Sequence, residues 1–312
     1  MPRNLALAGL ALGAAVVPEA RAFAQRADLE QMELVVNANQ PVTMTINEMP
    51  VEVIVAPDAI SVPTVNADAA ARLGLEPSMI GYVYVIGATR LLFRTDTVRY
   101  HTHGGTFRRR TAFSQAQVID GADVLAGPTT FPFARTVIQM RAPQAEDRPL
   151  TFAIAPDMGR SQSGPSLQVG DRTIFVAFNL TRAESLVSAT GGKWIADATG
   201  GWLSGEAREI PVLYGVERPV RPLTLSAPLM LGELEIRNLA VRVSDMGDAS
   251  GLTDEAPPEP DPNEIVVTGD SGREVPMQRL YIGLDTIGHC ASITFDREAE
   301  TVTLMCPPQP PV

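Results

Sequence analysis

A few side chains in this chain could do chemistry by their type and spacing, and two histidines are the first. His101 and His103 lie two positions apart in a predicted strand. Alternate residues of a strand share a face, so both imidazoles would point the same way. Two imidazoles could hold zinc, but structural zinc normally takes four ligands and no third is visible nearby. We therefore predict no metal site and keep the two histidines as weak candidates.

The chain has two cysteines, Cys290 and Cys306, which bracket a hairpin-like stretch, Ala291 to Met305. An oxidising compartment would favour pairing them. A disulfide that closes so short a loop contributes roughly 3 kcal/mol to stability. The alternative is two buried free thiols. The N-terminal segment described below favours the disulfide.

Several common functional motifs are missing from the sequence. It contains no Gly-x-Ser-x-Gly elbow, no phosphate-binding loop and no dinucleotide fingerprint, so we predict no cofactor. The net charge is −11 and the pI is about 4.8. An acidic surface repels phosphate backbones, which argues against nucleic-acid binding.

The N-terminus has the pattern of an export signal. Arg3 supplies the positive charge, Leu5 to Val17 form a short apolar run, and Ala22-Phe-Ala24 fits a cleavage site. The apolar run is shorter than the roughly 20 residues that span a bilayer. We predict a signal peptide over 1–24, a periplasmic or secreted mature protein, and no stable membrane insertion.

Strand patterns dominate the rest of the chain, and short strands separated by Gly and Pro are typical of barrels or sandwiches. The best helix pattern is Asn66 to Leu73, with Asn66 at the N-cap and Gly74 after the last turn. We therefore predict an all-β fold with few short helices. The predicted strand segments are Pro41–Ile46, Val51–Val55, Tyr82–Ile86, Leu91–Tyr100, Thr173–Phe178, Leu223–Leu225, Leu234–Val243 and Ser292–Leu304.

The chain looks like one design used twice. We predict an N-terminal lobe over 25–145 and a C-terminal lobe over 146–312, separated near a linker at Ala142–Arg148. The stretch Asp248–Asn263 is rich in Pro, Asp and Glu, so we predict that it is a disordered insertion in the second lobe.

Three motifs in the first half occur in a recognisable order: the apolar strand Val51–Val55, the sequence Ala69-Ala-Ala-Arg-Leu-Gly-Leu75, and Val124-Leu-Ala-Gly127. A second apolar-apolar-Gly motif, Tyr281-Ile-Gly283, lies in the second half. This pattern resembles the retropepsin-like and pepsin-like aspartic proteases, and most of all the exported aspartyl-protease-like proteins of alphaproteobacteria. The resemblance implies two β-barrel lobes around a cleft.

The Asp-Thr-Gly turn of that family is absent from both halves. Ala56 falls where the first catalytic Asp belongs, and Thr181 or Asn179 falls where the second belongs. The enzymes need two carboxylates that share one proton, one as general base and the other as acid. Asp58 and Asp197 are the fallback acids, but neither follows an apolar strand directly.

These losses predict a non-catalytic protein of aspartic protease fold that binds a peptide or an envelope protein. One alternative is an aspartic-type endopeptidase with an atypical acid pair, and another is a structural envelope protein with a vestigial cleft. The segment Glu264–Gly269 resembles a stretch seen in TonB-dependent receptors, and a β-prone peptide of this kind could add to another sheet edge. Its simpler interpretation is a strand that follows the insertion. The oligomeric state is left open.

Overall fold

The computed structural model describes residues 29–86, 88–155, 162–243, 249, 252–254 and 278–309. The predicted signal peptide and the Glu264–Gly269 segment lie outside the described residues, so both stay predictions. The strands of the first half are β1 (Glu33–Asn37), β2 (Val42–Ile46), β3 (Met49–Val55), β4 (Thr64–Val65), β5 (Gly81–Ile86), β6 (Thr89–Thr102), β7 (Gly105–Phe113), β8 (Val124–Ala126) and β9 (Arg135–Gln139).

The strands of the second half are β10 (Arg148–Ala153), β11 (Ser166–Val169), β12 (Arg172–Phe178), β13 (Ser185–Val187), β14 (Trp202–Leu203), β15 (Arg208–Leu213), β16 (Val216–Thr224), β17 (Leu229–Leu231), β18 (Leu234–Ile236), β19 (Leu239–Arg242), β20 (Gln278–Ile282), β21 (Ser292–Asp296) and β22 (Thr301–Cys306). The helices are α1 (Ala67–Arg72), α2 (Ala189–Thr199) and α3 (Leu284–Ile287).

The first lobe is built on a seven-stranded sheet in the order β2-β3-β8-β4-β7-β6-β5. Its first hairpin joins β2 to β3 through Asn47 and Glu48, which have φ of 48° and 72°. Positive φ at both central residues is the conformation of the tight turn whose twist matches a β-hairpin. The predicted hairpin is therefore confirmed, and β3 leads from it straight into the centre of the lobe.

The second lobe repeats this plan in a sheet ordered β11-β12-β20-β13-β19-β16-β14, with β15 also paired to β16. In each lobe an early strand pairs in parallel with a late one, β3 with β8 and β12 with β20. The late strand then pairs antiparallel with the strand that follows the turn, β4 or β13. The chain thus makes the same threaded crossing twice.

A third sheet joins the lobes, because its five strands, β1-β9-β21-β22-β10, come from both halves of the chain. Cys306 ends β22, and Cys290 lies two residues before β21. The two cysteines form a disulfide across 16 positions of sequence, which confirms the predicted pairing. Both are buried, so the bridge lies in the core at the base of the molecule.

Helix α1 begins where the sequence predicts, and Gly74 after it has a φ of 61°. Asn66 occupies the N-cap position but makes no side-chain capping bond. Its Oδ1 instead accepts hydrogen bonds from the backbone N–H groups of Val118 at 2.8 Å and Ile119 at 3.2 Å. Asn66 therefore fastens a loop of the lobe to the helix, a role that the local sequence does not reveal.

Helix α2 was not predicted, since two adjacent glycines disfavour a helix in isolation. The fold needs them there, because a Cβ on Gly192 would lie 2.7 Å from the Val241 side chain, and one on Gly191 would lie 2.9 Å from the Ser188 hydroxyl. Close packing against β19 and β20 therefore outweighs the low helix propensity of glycine.

The predicted fold class is confirmed: the described chain is mostly strand, with two β-barrel lobes around a cleft and few short helices. The lobe boundaries at 145 and 146 stay a prediction. Most of the insertion predicted over 248–263 lies outside the described residues. The described part of it contacts the second lobe. Thr253 O accepts a hydrogen bond from the Leu203 N–H at 2.8 Å, and Asp254 forms an ion pair with Arg221 at 2.6 Å.

Candidate functional site

Two equivalent turns meet at the cleft between the lobes. One follows β3 and begins at Ala56, and the other follows β12 and begins at Asn179. The Ala56 N–H donates to Ala126 O at 2.9 Å, and the Asn179 N–H donates to Ile282 O at 2.8 Å. Because both acceptors immediately precede a supporting glycine, Ala56 and Asn179 are equivalent positions. Asn179, and not Thr181, is therefore the counterpart of Ala56.

The two supporting glycines press directly on these turns. A Cβ on Gly127 would lie 2.4 Å from Ala59 O, and one on Gly283 would lie 2.3 Å from Glu184 O. No side chain fits at such distances, so only glycine lets the threaded strands pass this close. The sequence motifs that end in Gly127 and Gly283 thus hold the turns from behind.

A side-chain hydrogen bond joins the two turns across the cleft. Asn179 Nδ2 donates to Asp58 Oδ2 at 2.7 Å. Asn179 Oδ1 accepts from Thr181 N at 3.0 Å, from Thr181 Oγ1 at 3.1 Å and from Arg182 N at 2.8 Å. Three donors on one side fix which end of the amide is the oxygen, so the amide nitrogen must face Asp58.

The carboxyl of Asp58 is held in an environment that disfavours its charge. Burial raises its pKa above the usual range, and this outweighs the hydrogen bond from Asn179, a bond to its own backbone and the positive charge of Arg182, which all lower it. No neighbouring carboxylate is among the causes, so burial, and not a shared proton, sets the direction. An amide cannot take up a proton near neutral pH, so Asp58 and Asn179 do not form the proton-sharing carboxylate pair of an aspartic protease.

The other predicted acid, Asp197, does not join this site. It lies in α2, its side chain is 58% exposed, and it pairs with Lys193 one helical turn away at 2.6 Å. Asp197 is not among the residues that line the cleft. The structure therefore brings Asp58, Thr181 and Ala56 to the cleft and leaves Asp197 on the surface.

The two histidines that are weak metal candidates make contacts with different partners. His101 lies near the end of β6, and its Nδ1 is hydrogen-bonded to Thr106 Oγ1 at 2.8 Å. His103 lies in the turn beyond β6, where its ring stacks on Phe133 at 5.6 Å. Within the described residues, the one group with metal-ligand spacing contains Cys290 and Cys306, whose sulfurs are consumed by the disulfide.

Arg182 is a cleft residue that the sequence did not single out. Its Nη2 donates to the backbone carbonyl of Val212 in β15 at 2.9 Å. Burial lowers the pKa of the guanidinium, while the nearby charge of Asp58 opposes this. The neighbouring Arg208 is different, because it forms a close ion pair with Glu184.

Two buried residues of the second half, Gln162 before β11 and Arg279 in β20, support the floor of the cleft. The side-chain amide of Gln162 donates to the backbone carbonyl of Asp58. Arg279 Nη1 in turn donates to Gln162 Oε1 at 2.7 Å, and its guanidinium lies 5.0 Å from the Phe175 ring. Gln162 and Arg279 are both buried. This network fixes the Asp58 turn against the second lobe.

The cleft is large and has an aromatic roof. Its volume is about 1230 Å³, and both lobes contribute to its walls. Tyr214, at the tip of the β15–β16 hairpin, lies 5.7 Å from the Tyr84 ring and 5.2 Å from the Phe93 ring of the β5–β6 hairpin. The two hairpins therefore contact each other at the cleft, where Tyr214 is one of the lining residues. Alternation in the sequence predicts β5 and most of β6, but it predicts neither β15, nor most of β16, nor this contact.

Comparison with known proteins adds little to the fold assignment, which rests on the strand order and the two turns. No protein-family model matches the chain, and a search among curated proteins finds no match. A solved structure similar to part of the chain is the EIAV protease complexed with the inhibitor HBY-793. It is 17% identical, with a TM-score of 0.22 over 28% of this chain and 79% of that chain. A likeness this distant carries no argument about the site.

Proposed function

We propose that this protein binds segments of polypeptide in the cleft between its lobes and does not cleave them. The observation that carries the proposal is the Asp58–Asn179 hydrogen bond, which puts an amide where a proton-sharing acid pair would need a second carboxylate. Ala56, at the other key position, has no group that ionises. These two positions therefore lack the carboxylate pair that hydrolysis by an aspartic protease requires.

The size and walls of the cleft favour a polymer over a small molecule. A volume of about 1230 Å³ exceeds the roughly 300–1,000 Å³ of typical small-molecule pockets. Within the described strands β15 pairs with β16 alone, and four of its residues, Ile210 to Leu213, line the cleft. An extended peptide can hydrogen-bond to such an unpaired edge, and its side chains then alternate between the cleft and solvent.

The proposal includes export to an oxidising compartment such as the periplasm. Support comes from the signal-like pattern over 1–24 and from the buried disulfide, since disulfides form and persist mainly in oxidising compartments outside the cytoplasm. No helix in the described part of the chain has the length and apolar character needed to cross a membrane. N-terminal sequencing of the exported protein tests this part, and a mature chain that still begins at Met1 contradicts it.

Binding is tested with fluorescent unfolded polypeptides, with polarisation as the readout and mass spectrometry of the same samples from pH 3 to 7. We expect saturable binding with all peptide masses unchanged. Ala56→Phe fills the cleft floor and should abolish binding, whereas Ala145→Phe, on the exposed linker, makes the same change outside the cleft and should not.

Two outcomes would support other functions. Cleavage that is lost in Asp58→Asn would identify an endopeptidase with an unusual acid site. Failure of every polypeptide to bind, with both variants indistinguishable from the wild type, would contradict the proposal and favour a structural role with a vestigial cleft.

A further inference from the structure

We infer that Arg182 receives a carboxylate of the bound polypeptide, supplied either by an Asp or Glu side chain or by a free C-terminus. The inference rests on the proposed binding function and adds the chemical class of the ligand. Arg182 lines the cleft and lies in the turn that also holds Asn179.

The hydrogen bonds of Arg182 leave most of its guanidinium for a ligand. One nitrogen, Nη2, donates to Val212 O at 2.9 Å, and this bond fixes the side chain against β15. Within the described residues Arg182 has no ion pair, and no further side-chain hydrogen bond is present. The planar guanidinium has five N–H donors in a fork that matches a carboxylate in two-point contact.

The neighbouring charges do not cancel that of Arg182. Glu184 is already engaged by Arg208 in a close ion pair. Asp58 accepts a hydrogen bond from Asn179, and its burial favours the neutral carboxyl, which leaves the arginine with less compensation. Arg242 adds a second positive charge nearby. A half-buried cation in these surroundings gains from an anion that enters the cleft.

The net charge of the molecule works against the binding of acidic peptides. The chain carries a net charge of −11, which repels acidic peptides at long range. A preference for an acidic ligand must therefore come from a short-range contact within the cleft. An acidic ligand would also meet β15 beside Val212, where an extended peptide can pair with the strand edge.

The experiment compares three peptides of otherwise identical sequence by calorimetry. One carries a central Glu and an amidated C-terminus, one a central Gln and a free C-terminus, and one a central Gln and an amidated C-terminus. We expect at least one of the two acidic peptides to bind the wild type about tenfold more tightly than the neutral peptide. Which of the two is preferred identifies the source of the carboxylate.

Variants of this chain separate the contact from a general change in charge. Arg182→Gln should remove the preference, and Arg182→Lys, which keeps the charge but not the planar fork of donors, should retain part of it. Arg208→Lys changes the other cleft arginine but keeps a positive charge beside Glu184, so the preference should change less than about threefold.

Equal affinity of the wild type for all three peptides would overturn this inference while leaving polypeptide binding intact. A preference that persists in Arg182→Gln, with an unchanged melting temperature, would overturn the role of Arg182. If Arg182→Gln does not fold, an undiminished preference in Arg182→Lys together with a loss in Arg208→Lys would assign the contact to Arg208 instead. Failure of all three peptides to bind would remove the proposed function itself.

Discussion

Replacing Asn179 by Asp tests the electrostatic account of the cleft most directly. The substitution puts a second carboxylate oxygen where the amide nitrogen now lies, 2.7 Å from Asp58 Oδ2. Two ionised oxygens at that distance repel by roughly 6 kcal/mol at an effective dielectric constant of about 20. The folded variant should avoid this cost by keeping one proton shared between the two acids, as closely spaced carboxylates do.

The retained proton makes stability depend on pH. Near neutral pH the unfolded chain binds no proton at either acid, whereas the folded variant binds one. Stability therefore falls as pH rises, by about 1.4 kcal/mol per pH unit above the unfolded pKa values near 4. We expect Asn179→Asp to match the wild type most closely at acid pH and to lose stability steadily towards pH 8.

Asn238→Asp is the matched control, because Asn238 Nδ2 donates to Asp285 Oδ2 at the same 2.7 Å but on the exposed surface. Water reduces the corresponding repulsion to about 1.5 kcal/mol, so its pH dependence should be shallow. Urea unfolding between pH 4.5 and 8, followed by the fluorescence of Trp194 and Trp202, measures both variants. Burial raises the pKa of Asp58 in the wild type too, so the wild-type curve should fall only until the pH passes that pKa, whereas the Asn179→Asp curve should keep falling beyond it. Curves that stay parallel up to pH 8 would refute the close placement of Asp58 and Asn179.

Three further perturbations have defined outcomes. Removing the disulfide with Cys290→Ala and Cys306→Ala should lower the free energy of unfolding by about 3 kcal/mol, since the loop spans 16 positions; a loss below about 1 kcal/mol in chemical denaturation would contradict this. Gly283→Ala should cost about 1–3 kcal/mol, because its Cβ would overlap Glu184 O, and a melting temperature equal to that of the wild type would show that the turn yields. Tyr214→Ala opens the roof and should speed peptide association in stopped-flow measurements; an unchanged rate would mean that the hairpins do not limit entry.

Local patterns in the sequence predicted the parts of the fold that local physics determines. Strict alternation and the turn at Asn47 and Glu48 were enough for the first hairpin. Gly127 and Gly283 were recognisable because each ends an apolar strand, and the close approach of backbone oxygens explains why neither position carries a side chain.

The centre of the site was harder to predict, because it depends on where a strand ends and on contacts between distant residues. Leu180 is buried and extends the apolar run beyond Phe178, so sequence alone could not choose between Asn179 and Thr181. Asp58 does not follow its apolar strand directly, yet its side chain meets Asn179 from the other lobe. The roof contact between Tyr84 and Tyr214 joins residues that no local pattern connects.

The shared sheet has a consequence for how the chain reaches its native state. Strand β9 (Arg135–Gln139) finds its antiparallel neighbour only in β21 (Ser292–Asp296), more than 150 positions later in the sequence. During synthesis or export from the N-terminus, β9 and β10 therefore expose unpaired edges until the last hairpin emerges. Exposed edges of this kind pair readily with other chains, so the nascent protein needs either a holding chaperone or rapid arrival of its final twenty residues or so.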